Sequence, residues 1–115
     1  MSDVDKILIA LARNNLPVLR KLVNKGNVNA CDEDGFSLLM NAAMDDETDP
    51  EAVRLLLDRG AEVNAAEEGQ QFTALHFAAR DTGSEVVGIL LEAGADATAV
   101  EAEGNTPLHH CLLGK

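Results

Sequence analysis

Thr73–Gly94, TALHFAARDTGSEVVGILLEAG, holds two short helices, the turn between them and a stop. The Thr73 hydroxyl can accept a bond from the first free N–H groups of a helix, and Ala74 to Arg80 all tolerate helix. Asp81, Thr82 and Gly83 form a polar break. Ser84 then predicts a cap, and Glu85 a first-turn acid, for a second helix. In that helix Val87, Leu90 and Leu91 fall on one face at the i, i+3, i+4 spacing. Val86 and Ile89 leave little of the circumference polar, which predicts burial on two sides. Gly94 is suited to the left-handed conformation that closes a helix.

The same pattern returns at Ser37–Gly60 (SLLMNAAMDDETDPEAVRLLLDRG) and begins again at Thr106 (TPLHHCLLGK). Gly26, Gly60 and Gly94 stand 34 residues apart, and the tails after them read GNVNA, GAEVNA and GADATA. A fixed period of this length is the mark of a repeat array.

These motifs give the array a resemblance. Gly104, Thr106, Pro107, Leu108 and His109 match the Gly-x-Thr-Pro-Leu-His turn of ankyrin repeats. Thr73, Leu75, His76, Ala78 and Ala79 match it with Ala74 in the place of Pro. The chain therefore resembles an ankyrin-repeat protein over nearly its whole length, and the stretch DPEAVRLLLDRGAEVNA is similar to bacterial members of that family. The resemblance implies an all-α solenoid of stacked helix-turn-helix units with protruding turns. It forms a single domain over 1–115, with repeats at about 1–31, 32–66, 67–99 and a partial 100–115.

With 46% hydrophobic and 25% charged residues the chain has a globular composition, not a disordered one. Its only aromatics are Phe36, Phe72 and Phe77, so Leu, Val, Ile and Ala must fill the core. No stretch is apolar enough for a membrane span and the N-terminus does not read as a secretory leader, so a cytoplasmic location is expected. Cys31 and Cys111 have no metal or redox spacing, and Cys111 takes the place of a small buried Ala.

The net charge of −11 is unevenly spread. Residues 1–31 set Asp3 and Asp5 against Lys6, Arg13, Arg20, Lys21 and Lys25, a net of +3, which leaves −14 on 32–115. Such a surface repels nucleic acid and anionic membrane and attracts a basic partner, while also serving as a solvated, solubilising face.

Along the chain, Val4 to Arg13 predicts the first helix, interrupted by Asn14 and Asn15, and Pro17 opens the next, which stops at Gly26. In the second repeat Leu38 and Met40 stand where the family has Pro and His, which predicts a less firmly tied turn. From Ala43 to Val53 there are ten positions, against eight from Ala79 to Val87, so the second inter-helix loop is longer. Asp49, Pro50 and Glu51 signal the start of the helix that follows. The last repeat is expected to bury Leu108 and Cys111 and to leave Leu112 or Leu113 with apolar surface open to a partner.

No phosphate loop, nucleophile elbow or His-Glu-x-x-His occurs, and His76, His109 and His110 do not have a convergent metal spacing. The resemblance implies that His76 and His109 bond backbone in the turns. No catalytic residue, cofactor or metal is expected. By resemblance, the turn tips project like fingers and the first helices line a palm, which places partner contacts at Glu33, Asp34, Phe36, Met44 and Asp45 in the second repeat. In the third they fall at Glu67, Glu68, Gln70, Gln71, Phe72, Arg80 and Asp81, and in the last at Glu103 and Asn105. Asp32 and Glu101 add to the acidic edge, and Phe36 and Phe72 are candidate hot spots. The expected function is a non-catalytic protein-binding module for a basic partner, as an inhibitor, an immunity partner of a toxin or an adaptor. An assembly element that associates with itself or with further repeats is the alternative, and a hydrolase or metalloenzyme is the third reading.

Overall fold

A computed structural model describes residues 2–109. Six helices form three hairpins: α1 (Asp3–Ala12) with α2 (Leu16–Leu22), α3 (Leu38–Met44) with α4 (Pro50–Asp58), and α5 (Ala74–Asp81) with α6 (Ser84–Glu92). The first helices α1, α3 and α5 pack in one layer and the second helices α2, α4 and α6 in another. A helical turn starts again at Pro107.

None of the six exceeds 10 residues, a length at which an isolated helix is marginal in water, so stacking must hold them. The buried set suits that task. Ala42, Ala43 and Ala78 are closed off between the first helices, where small side chains permit close approach, while Leu19, Val53, Leu56 and Leu90 fill the second layer.

Side-chain caps start five helices. Ser2, Asn15, Ser37, Asp49 and Thr73 each accept a backbone N–H. The sixth departs from expectation: Ser84 lies inside α6, and Gly83, with φ +92°, is the cap residue without a side-chain bond. The link between α5 and α6 is so short that the chain must reverse at one left-handed position, and glycine takes it without strain.

Gly60 and Gly94 end their repeats with φ +103° and +99°. Gly26 does not share that conformation, contrary to the reading of it as the stop. There the stop is made of asparagine. Asn24 Oδ1 accepts from the N–H groups of Gly26 and Asn27, and Asn27 Nδ2 donates to the Leu22 carbonyl at 2.8 Å. The spacing of the three glycines is the same, but the first carries a different device.

Asparagines also clasp one repeat to the next. Asn29 Nδ2 donates to the Gly60 carbonyl while its Oδ1 accepts from Glu62 N, and Asn64 repeats this with the Gly94 carbonyl and Asp96 N. Asn14, at φ +53°, does the same for the longer second loop by donating to the Glu47 carbonyl and accepting from Asp49 N. At the corresponding place in the third tail Thr98 turns inward on its own loop. Its hydroxyl and N–H both donate to Asp96 Oδ1, which holds the Asp96 carboxyl below the usual carboxylate range.

The buried face of α6 is Val86, Ile89 and Leu90; Val87 is half-buried and Leu91 exposed, so the expected face is shifted by one residue. Val87 and Leu91 instead line an apolar cavity of about 350 Å³ with Leu75, Ala79, Pro107 and Leu108. Leu108, expected to be buried, is 68% exposed. Its counterpart Leu75 is covered by the layer that follows it, and no further layer lies over Leu108 among the described residues. The expectations for Cys111, Leu112 and Leu113 fall outside the described residues.

Candidate functional site

Each turn is a small hairpin closed by backbone bonds: Asp32 N to Phe36 O, Glu67 N to Phe72 O, and Glu101 N to Asn105 O, at 2.9 to 3.0 Å. The acid that opens each hairpin bends back into it. Asp32 Oδ1 accepts from Asp34 N and Phe36 N. The Glu67 carboxylate takes Gly69 N, Gln70 N and Phe72 N, and Glu101 Oε1 takes Glu103 N and Asn105 N. Glu67 and Glu101 are buried. Glu67, expected among the partner contacts, and Asp32 and Glu101, expected to add to the acidic edge, thus spend their carboxylates on their own turns. A carboxylate next to several unpaired backbone donors is better satisfied there than in water. A sequence signal existed only at Asp32, where an Asx-type side chain can fold onto the N–H groups that follow; Glu67 and Glu101 carry no such local signature.

Replacing Glu67 with Ala leaves three turn N–H groups without their acceptor, and stability is expected to fall by about 2 kcal/mol in urea unfolding. Glu68 changed to Ala, one residue on and exposed, is expected to change stability by less than about 0.5 kcal/mol.

With the hairpins held from inside, Glu33, Asp34, Glu68, Gln70, Gln71 and Glu103 stand out to solvent. Gln71 is at φ +64°, the kink by which this hairpin, one residue longer than the other two, takes up its extra position. The tips are joined as well: Ala102 N donates to the Gln70 carbonyl at 2.8 Å. His76, wholly buried, accepts from Thr73 N through Nδ1, which leaves Nε2–H to donate to the Asn105 carbonyl at 3.1 Å. His109 makes the same Nδ1 contact to Thr106 N but is exposed. In the second repeat Met40 cannot reach across in this way. The turn is tied instead by Asn41 Nδ2, which donates to Asp32 Oδ2 and to the Ser37 carbonyl. These bonds stay within residues 32–41, so they brace the turn itself and do not reach the next one as His76 does.

Behind the tips the predicted residues gather in two places. Phe36, Phe72 and Gln70 line a cavity of about 330 Å³ with Phe77, Arg80 and Glu67. Phe36 and Phe72 are half-buried, packed on the Phe77 ring at centroid distances of 5.7 and 5.1 Å. The second cavity, about 530 Å³, has Leu8, Leu11 and Met44 beside Asp45, Asp46 and Asp81. Asn105 is half-buried and spends its carbonyl on His76. Among the described residues no group of three or more His, Cys, Asp or Glu converges to hold a metal ion, and no helix is long and apolar enough to cross a membrane.

The palm so formed is a rigid surface with acids at its edge and apolar side chains in its hollows, suited to holding another protein. No curated protein matches the chain significantly. A family model described as ankyrin repeats, in three copies, matches residues 7–101. Stacked hairpins, hydrogen-bonded turns and this match over most of the sequence place the chain in the ankyrin-repeat family, whose repeats are in general protein–protein interaction modules.

Proposed function

We propose that the chain is a non-catalytic module that binds a basic protein surface through its acidic tips and palm, as an inhibitor, an immunity partner or an adaptor. The observation that carries this is the placement of Glu33, Asp34, Glu68 and Glu103 on successive tips, exposed, while the backbone beneath them is fixed by inward-facing acids. Charges so arrayed act chiefly on the rate of encounter, because their field reaches beyond contact and is cut off at about 10 Å in 0.1 M salt.

A partner captured from the native cells supplies the test. Its association rate is expected to fall at least about tenfold from low to physiological salt. It should fall similarly when Glu33, Asp34, Glu68 and Glu103 are together changed to their amides. Glu67 must be left intact, since its loss would disturb the turn. An on-rate indifferent to both changes would move the site to the second-helix layer or to the basic first repeat.

A second reading, assembly through the end of the stack, is favoured by the exposed Leu91 and Leu108 around the apolar cavity. Sedimentation that shows dimers, abolished by Leu108→Glu, would support it.

A further inference from the structure

We propose that Phe72, Phe77 and Asp81 form a guanidinium-binding site, occupied in the free protein by the chain's own Arg80 and taken over by an arginine side chain of the partner. The proposal rests on the reading that the partner is basic, and it accounts for a residue which that reading leaves unexplained. Between residues 32 and 109 the only Lys or Arg outside α4 and its cap is Arg80, a cation in the middle of an acidic palm.

The position of Arg80 displays the chemistry of the site. Its Nε donates to Asp81 Oδ1 and its Nη2 to Oδ2, each at 3.0 Å, the two-pronged match of a planar guanidinium to a carboxylate. Its Cζ lies 5.9 Å from the Phe72 ring centroid and 5.5 Å from that of Phe77, where the negative faces of the rings attract a cation. The 330 Å³ cavity beside it, with Phe36 and Gln70 in its wall, gives an incoming side chain a way in. Asp81 also faces the second cavity with Asp45 and Asp46, so the charge around it favours an approaching cation.

Arg80 holds this place lightly. Arg59 offers the contrast: its Nη1 donates to the carbonyls of Arg20 and Val23 and so binds one repeat to another. Arg80 pairs with its own neighbour in sequence, both side chains partly exposed, 40% and 26%. An exposed pair of this kind and an exposed contact of a cation with a ring are both weak restraints, so a second guanidinium can displace the first. Lysine is the poorer occupant, because its ammonium cannot lie flat on a ring or span both carboxylate oxygens.

The chain has three Phe, no Tyr and no Trp, so its phenylalanine ring resonances report from this cluster alone. The probes are N-acetyl-arginine amide and N-acetyl-lysine amide, titrated into the wild type, Arg80→Ala and Arg80→Ala with Asp81→Asn. The first variant is expected to bind the arginine probe about fivefold more tightly than the wild type, with shifts in the Phe72 and Phe77 rings. The double variant should lose that gain, and the lysine probe should bind more weakly throughout. If Arg80→Ala gains nothing, if the ring signals stay still, or if lysine binds as well as arginine, the site is refuted. An octalysine peptide separates the two readings. If it binds in a salt-sensitive way while the arginine probe moves no ring, the acidic face stands and the guanidinium site falls.

Discussion

Replacing His76 with alanine is expected to lower stability by about 3 kcal/mol in urea unfolding, most of what one side chain can cost at a site of this size. The ring is wholly buried. Its removal deprives Thr73 N–H of an acceptor and the Asn105 carbonyl of one of its two donors, and leaves a hole in the packing. His109 is the internal control. It makes the same contact to its own Thr106 from an exposed position, and its change to Ala is expected to cost less than about 1 kcal/mol. Equal losses from the two changes would mean that the local cap carries the stability, and that the bond reaching the next turn does not.

The second large effect is expected at Leu56. It is fully buried in α4, which lies between α2 and α6, so shortening it to alanine opens a cavity shared by three repeats. The loss should be between about 2 and 5 kcal/mol, a large fraction of the total stability of a domain of this size. Because a repeat array is held by contacts between neighbours, the damage should also show in cooperativity. Hydrogen exchange is expected to lose protection in α2 and α6 alongside α4. Protection lost in α4 alone would show that the hairpins do not lean on one another there.

The helices and their stacking were legible because they depend on residues that act locally. Thr73, Ser37 and Asp49 cap helices wherever they stand before an apolar run, and Gly60 and Gly94 end them for the same conformational reason. What the pattern concealed depended on direction. Asp32, Glu67 and Glu101 look like their neighbours Glu33, Glu68 and Glu103 in a charge count, yet the first three face inward onto backbone N–H groups. Leu91 and Leu108 look like core in the pattern, yet both are exposed. Gly26 stands at the right interval but leaves the stop to Asn24 and Asn27, since a short tail can be closed by side-chain amides. Residue type sufficed to place Glu33, Asp34, Glu68, Gln70, Gln71 and Glu103 on exposed tips. The joining of Phe36, Phe72, Phe77 and Arg80 required the three-dimensional arrangement of two repeats.

The amide clasps at Asn29 and Asn64 have a mechanical meaning. Each grips the neighbouring repeat at two points, a carbonyl and an N–H, and so closes a loop of 30 to 33 residues of chain. A stack pulled by its ends would load these clasps together with the packing of its helices. Where one clasp gave way and the two helices of its loop unravelled, the chain set free would extend to roughly 110 Å. Tension would thus be relieved a repeat at a time, with the remaining hairpins still folded.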